Sequence, residues 1–306
     1  MTVKIFVSGG AGFIGSHLVD RLVKDGHEVI VLDNLSRGRV QNIEKYIENK
    51  SIIFHQADIR NYDKLIELMK GSEIIYHLAA QSNVMGAIVD LDYSFESNVI
   101  GTYNVLKAAK ECGARRLIFT SSREAYGEAL ALPVNEDHPL RSKNFYGASK
   151  VAGEKYCEIY QNMESVEIVI LRLANVYGYR DFDRVIPIFI HNVLNNESIR
   201  IFGGKQVIDF IDVDKVVEAL IQSINNDDAS KGATNIGSGR GTTLFDLAKR
   251  IQELFKSSNE IIVEPARSVE VVKFIADVKR MSKIFKIQKD DDPLSYLGKM
   301  VEKYKK

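Results

Sequence analysis

The apolar residues of this chain fall into short unbroken runs separated by amphipathic stretches. VKIFVS (3–8), HEVIVLD (27–33), SIIFHQAD (51–58), SEIIYHLAA (72–80) and ARRLIFTSS (114–122) are brief, rich in β-branched residues and read as buried strands. FIGSHLVDRLVKDG carries apolar side chains at helical spacing and closes on Gly26. Further helices are expected near 61–70 and over about 94–112, and SVEIVILRLANVYG (165–178) reads as one more central strand. Strands alternating with helices predict βαβ units, hence an α/β, doubly wound parallel sheet with helices on both faces.

After about residue 178 the rhythm changes to short strands and irregular segments, as in IRIFGG, VIDFIDVD and GATNIGSG. This predicts a smaller C-terminal lobe of mixed α/β structure over the carboxyl ends of the strands. The expected division is 1–178 and 179–306, with the chain crossing back to the first part from about 205–240. DDPLSYLGKMVEKYKK opens with acids and a proline and ends basic, the charge order that suits a helix dipole.

Composition narrows the functions available. Of 306 residues, 41 are Lys or Arg and 41 Asp or Glu, so no net charge favours nucleic acid or an anionic membrane. Any anionic ligand has to be held by local features. No apolar run reaches the roughly 18 residues of a membrane span, and the N-terminus lacks the pattern of a signal peptide. Two separated cysteines, Cys112 and Cys157, form no disulfide framework and read as packing residues in a reduced, cytoplasmic protein. His55, His138 and His191 show no metal-ligand spacing, so no metal is expected.

SGGAGFIGSH, between a strand and a helix, is the strongest local signal. Gly9, Gly12 and Gly15 repeat every third residue, and Gly10, Gly12 and Gly15 also fit G-x-G-x-x-G. Such glycines let backbone approach a pyrophosphate, and the helix N-terminus offers free N–H groups and positive potential. The bland alternative is a strand–helix turn with small residues for packing. Asp33 ends the second strand, 18 residues after Gly15, where a carboxylate can accept from a ribose diol and repel a 2′-phosphate. That favours NAD over NADP. Arg37 acts against it, because an arginine there could reach a phosphate, and Asp33 could also be a plain turn residue. Asp58, ending the third strand, could face the adenine.

NFYGASKVAGEKY sets Tyr146 and Lys150 four apart, on one face of a helix. Alone, that pair is commonplace; it gains weight beside a dinucleotide loop and the strand end at Ser122. Lowering a phenol from about 10 to about 7 takes roughly 4 kcal/mol. An ammonium about 5 Å away at an effective dielectric near 20 supplies roughly 3 kcal/mol, and a positive nicotinamide adds to it. Tyr146 is therefore the candidate base, Lys150 its modulator and a ribose ligand. Ser122 is a hydrogen-bond partner for the reacting hydroxyl.

SGGAGFIGSHLVDRL, VLDNLSRG, HLAAQ, NVIGTYNVLKAA, FTSS, YGASK and LRLANVYG, in that order, resemble the extended short-chain dehydrogenase/reductase superfamily, in its nucleotide-sugar epimerase/dehydratase branch. The resemblance covers nearly the whole chain. It implies a Rossmann-type domain, bound NAD, a nucleotide-diphosphate sugar as substrate, and a homodimer formed by two helices near 94–112 and 148–160. On that likeness Ser122, Tyr146 and Lys150 match the catalytic triad. The cofactor set comprises Gly9, Gly12, Phe13, Ile14, Gly15, Asp33, Asn34, Asp58, Ile59, Leu78, Ala79, Ala80, Asn98, Tyr146 and Lys150. Asn98 matches an asparagine that supports the lysine, and His77 a strand-end histidine that is structural or near the cofactor. Asn175, Arg267 and Glu270 match residues that contact the substrate's diphosphate or nucleotide.

Two departures stand out. Ile208 occupies the place of an arginine before Asp-Phe, which moves one diphosphate contact elsewhere, with Arg180, Arg184 and Lys205 as candidates. The second is Ser122-Arg123-Glu124, where the superfamily's 4,6-dehydratases carry Thr-Asp-Glu. An arginine cannot deliver the proton their aspartate gives, so dehydration is disfavoured. Glu124 stands where those enzymes have a glutamate base, and decarboxylases of UDP-glucuronate also have Ser-Glu there. Glu124 either faces the sugar as a catalytic group or pairs with Arg123 and only holds the loop. The expected activity is 4-epimerisation of UDP-glucose/UDP-galactose type through a transient 4-keto sugar. UDP-glucuronate decarboxylation and non-catalytic NAD binding are the alternatives.

Overall fold

The protein is described by a computed structural model covering residues 2–163 and 166–304. Its first part runs β1 (Lys4–Ser8), α1 (Phe13–Lys24), β2 (Glu28–Asp33), α2 (Glu44–Glu48), β3 (Ile52–Gln56), α3 (Tyr62–Met69), β4 (Ile74–His77), α4 (Val84–Val89), α5 (Leu91–Phe95), α6 (Gly101–Glu111), β5 (Arg116–Ser122), α7 (Phe145–Asn162) and β6 (Glu167–Leu173). The second part runs β7 (Asn175–Tyr177), α8 (Val185–Leu194), β8 (Ile199–Phe202), β9 (Val207–Ile208), β10 (Phe210–Asp212), α9 (Val213–Gln222), β11 (Thr234–Ile236), β12 (Thr242–Thr243), α10 (Leu244–Phe255), β13 (Ile261–Glu264), α11 (Lys279–Phe285) and α12 (Leu297–Tyr304).

Seven strands form one sheet in the order β11-β6-β5-β4-β1-β2-β3, all paired in parallel. The unbroken apolar runs follow from this arrangement. Side chains alternate across a strand, and both faces here are covered. Ile5, Val7, Val29, Val31, Val169 and Leu171 join the core beneath α1 and α9. Phe6, Ile30, Leu32, Leu117, Phe119 and Ile170 join the opposite core beneath α3, α6 and α7. The architecture is a Rossmann-like doubly wound sheet. A separate core of Ile186, Phe189, Ile199, Ile201, Leu247 and Met300 fills the C-terminal part.

Two expected elements differ in detail. The strand over 165–178 is two: Ala174 N–H still donates to Ile236 of β11 at 2.9 Å, whereas Asn175 N–H donates to Asp209 at 3.0 Å. There the chain leaves the main sheet, and β7 pairs with β10. The helix over 94–112 runs on from α5 into α6 through a π turn at Glu96–Ile100, with right-handed helical backbone at both joins. The C-terminal helix starts at Leu297, later than expected. The ends of two expected elements, residue 165 and residues 305–306, lie outside the described residues.

Candidate active site

The carboxyl ends of β1, β2, β4, β5 and β6 open into one cleft of about 490 Å³, roofed by the segment after β7 and by β8. That volume lies within the range of small-molecule sites. The glycine loop forms its floor. A Cβ on Gly15 would lie 2.1 Å from the Gly9 carbonyl oxygen, so only glycine allows α1 to start this close to β1. No side chain caps α1 and no acid occupies its first turn, which leaves the positive helix end open to the cleft. Gly9, Gly12, Phe13, Ile14 and Gly15 all line the cleft.

Asp33 is buried at the end of β2 and lines the same space. Its carboxylate accepts from Ala11 N–H at 3.0 Å and Leu35 N–H at 2.9 Å. Burial nevertheless holds its pKa above the usual value. Asn34, Asp58, Ile59, Leu78, Ala79 and Ala80 continue the wall. Asp58 accepts from Asn34 Nδ2 at 2.9 Å and from Arg60 at 3.0 and 3.1 Å. Partial burial acts to raise its pKa, but Arg60 and Asn34 outweigh it, and the carboxyl sits below its usual range. The Arg37 guanidinium is held by both oxygens of Asp183, at 2.7 and 2.6 Å.

Asn98 lies away from the cleft wall. Its amide exchanges hydrogen bonds with the Gln81 backbone at 2.7 and 3.0 Å and donates to Ser149 Oγ at 3.0 Å. Ser149 Oγ in turn donates to the Tyr146 carbonyl at 2.7 Å. Asn98, expected to support the lysine, thus braces the first turn of α7, the helix that carries it. Lys150 Nζ instead donates to the Thr120 carbonyl at 2.9 Å. His77 is buried behind the cleft between Ser8 Oγ and Thr102 Oγ1, each at 2.9 Å. Burial pushes its imidazole down to about 3, so it stays neutral.

The N-terminus of α7 brings the triad together. Asn144 caps it by accepting from Gly147 N–H at 2.8 Å. A Cβ on Gly147 would lie 2.2 Å from the Glu124 carbonyl oxygen, so this glycine lets α7 abut the turn after β5. Ser122, Tyr146 and Lys150 consequently share one wall. Lys150 Nζ lies 5.8 Å from the Tyr146 ring centre. Burial depresses the Lys150 ammonium to about 8. Burial also holds the Tyr146 phenol above its usual value, outweighing the charge of Arg184. The expected acidification counts on Lys150 together with the positive nicotinamide ring.

Arg123 and Glu124 pair with each other at 2.7 Å. Glu124 Oε2 accepts from Asn144 Nδ2 at 2.7 Å, and Arg123 Nε donates to Asn175 Oδ1 at 2.5 Å. Arg123, Glu124 and Asn175 line the cleft while also fastening its wall. Arg267 lies over the Phe202 ring at 3.7 Å and pairs with Glu270 at 3.1 Å, both on the far wall. Of the candidates to replace the arginine absent at Ile208, Arg184 lines the cleft. Arg180 instead pairs with Asp20 at 2.9 Å, and Lys205 is not part of the lining. Sequence reasoning missed Arg200, Phe202, Phe182 and Asp183, which also line it. Ile199 and Ile201 are buried, so two-residue alternation along IRIF would have aimed Arg200 and Phe202 at the opposite, cleft-facing side.

A bare helix end, an acid at the end of β2 and a polar triad on one cleft define a dinucleotide-binding α/β protein with a dehydrogenase-type site. The profile of the NAD dependent epimerase/dehydratase family matches residues 5–237. The chain belongs to that family, and its cofactor is NAD. A Methanocaldococcus jannaschii protein provisionally named UDP-glucose 4-epimerase is 38% identical over 283 residues, 90% of each chain. UDP-glucuronic acid decarboxylase 1 of Danio rerio is 33% identical over 84% of this chain and 62% of its own. The structure of Thermotoga maritima UDP-glucose 4-epimerase with UDP-glucose superposes with a TM-score of 0.92 at 32% identity, over 99% of this chain and 98% of that one. Among the described residues no helix is long and apolar enough to cross a membrane. Nor is any group of three or more His, Cys, Asp or Glu placed to hold a metal ion.

Proposed function

We propose that this enzyme interconverts C4 epimers of a nucleotide-diphosphate sugar, with UDP-glucose and UDP-galactose the leading pair. The observation that carries the reading is the placement of Ser122, Tyr146 and Lys150 together on the wall shared with the glycine loop, with Lys150 Nζ 5.8 Å from the Tyr146 ring centre. Tyr146 takes the proton from the C4 hydroxyl and returns it. Ser122 donates to O4 as it becomes a carbonyl, and Lys150 orients the ribose and adds positive charge. When bound in the cradle of Gly9 to Gly15, with Asp33 at the ribose, NAD supplies a hydride acceptor and donor, so the sugar passes through a 4-keto form with no net redox. Asn175, Arg184, Arg200, Arg267 and Glu270 are the groups that hold the nucleotide and its diphosphate.

Arg123 supports epimerisation over dehydration, because it offers no proton where a leaving hydroxyl would need one. Decarboxylation of a UDP-uronate remains the second reading. It is favoured by Glu124 on the cleft wall and by the decarboxylase relatives. Incubating the enzyme with UDP-glucose, UDP-N-acetylglucosamine, GDP-mannose, dTDP-glucose and UDP-glucuronate, then separating the sugars, distinguishes these readings. A C4 epimer supports the first, and carbon dioxide release the second. Absence of both, with NAD still bound, points to a non-catalytic protein. Unchanged kinetics in both Glu124→Gln and Arg123→Ala would reduce that pair to a structural fastening.

A homodimer is part of the proposal. Phe95, Ile100, Tyr103, Tyr156 and Ile159 are exposed across α5, the π turn after it, α6 and α7, and the rings of Tyr103 and Tyr156 sit 5.9 Å apart. A contiguous apolar face of this kind marks an association surface. A cytoplasmic setting accords with the free thiols Cys112 and Cys157.

A further inference from the structure

Asp33 guards the ribose end of the cleft, yet Arg37 lines the same rim four residues later. Taken alone, these two residues give opposite instructions. A carboxylate there repels a 2′-phosphate, and a free guanidinium attracts one. The structure resolves the conflict from the other side of the cleft. Both Asp183 oxygens accept from Arg37 Nη2, at 2.7 and 2.6 Å.

We propose that Asp183 is a cofactor-selectivity residue: by neutralising and holding Arg37 it denies a 2′-phosphate its cation and so reinforces the choice of NAD. The inference rests on NAD as cofactor and is independent of which sugar is bound. Asp183 is well suited to the task because its segment is fastened before and beside it. Arg180 adopts φ +72°, a left-handed conformation uncommon for a side-chain-bearing residue, and is held there by its ion pair with Asp20. Phe182 lies under the Arg39 guanidinium at 4.0 Å. The carboxylate is thereby delivered to Arg37 by an ordered strap, which spares the pair much of the side-chain entropy that weakens ordinary surface pairs. Asp183 acts through Arg37 and is a positioning residue.

The test is equilibrium binding of NAD and NADP to dinucleotide-free full-length protein, by calorimetry, in wild type, Asp183→Asn, Arg37→Gln and the double variant. Asp183→Asn is expected to shift the affinity ratio toward NADP by about tenfold, equivalent to about 1.4 kcal/mol. The double variant should fall back to the ratio of Arg37→Gln, and the gain should shrink as salt is raised. Asp183→Ser provides the same reading should the asparagine variant fold poorly. A ratio unchanged in the Asp183 variants, or a gain that survives loss of Arg37, overturns the proposal. Loss of NAD and NADP affinity in equal proportion also overturns it, since Asp183 would then only hold the strap in place.

Discussion

Replacing Lys150 by methionine should stabilise the dinucleotide-free protein while removing its activity. Lys150 is buried, and burial lowers its ammonium from the usual 10.5 to about 8. At 1.36 kcal/mol per pH unit, that difference means the charged side chain costs the folded state about 3 kcal/mol below pH 8. Methionine has a similar length and no charge. The Thr120 carbonyl, which accepts from Nζ at 2.9 Å, would lose its donor, offsetting about 1 kcal/mol. The expected net gain near neutral pH is therefore about 2 kcal/mol. Its pH dependence is the more specific signature. Between about 8 and 10.5 the unfolded chain binds more protons at this position than the folded one, so wild-type stability rises with pH through that window. The variant lacks this rise, and the difference between the two proteins narrows toward pH 10.5. Urea unfolding of both proteins, without dinucleotide, at about pH 7 and about pH 10 measures it. A variant less stable at neutral pH, or a difference equal at both pH values, would refute the reasoning. Turnover should fall by about 10²–10⁴-fold, the range for a lost acid–base function.

Three further outcomes follow from contacts in the cleft and in the core behind it. Gly15→Ala drives a methyl into the Gly9 carbonyl oxygen, 2.1 Å away. It should abolish the rise in melting temperature that NAD gives the wild type, at a cost of about 1–3 kcal/mol in intrinsic stability, read by thermal unfolding with and without NAD. Glu154→Gln removes the partner of buried Arg172, whose guanidinium meets the carboxylate at 2.7–3.1 Å. Denaturant unfolding should show a loss of about 3–5 kcal/mol, because the arginine charge stays buried without its partner. Ser122→Ala should lower kcat by about 10²–10³-fold with little change in KM, because the hydroxyl acts on oxygen charge that develops during the reaction.

The main sheet was legible in the sequence because burial on both faces writes its strands as unbroken apolar runs. The glycine loop was equally legible, since close backbone contacts tolerate few residues. The division at Ala174 was not: LRLANVYG is apolar throughout, and its partner changes because Ile236 gives way to Asp209, both distant in sequence. The π turn at Glu96–Ile100 was hidden for the same reason, since it serves a tertiary contact of Asn98 with Gln81. In the site, Ser122, Tyr146 and Lys150 could be read because two adjacent elements place them. Asp183 could not, because its meaning depends on Arg37, 146 residues away. The state of the Tyr146 phenol was also beyond reach, because it depends on how completely the fold excludes water from the ring.

In the proposed mechanism Tyr146 becomes a base only when the cofactor completes the site. Spectrophotometric titration of phenolate absorbance in wild type minus Tyr146→Phe, with and without NAD, tests it directly. A single phenol should ionise near pH 7 with NAD bound and above about pH 10 without it. No difference between the two loaded proteins below about pH 9, or the same ionisation with and without NAD, would contradict it.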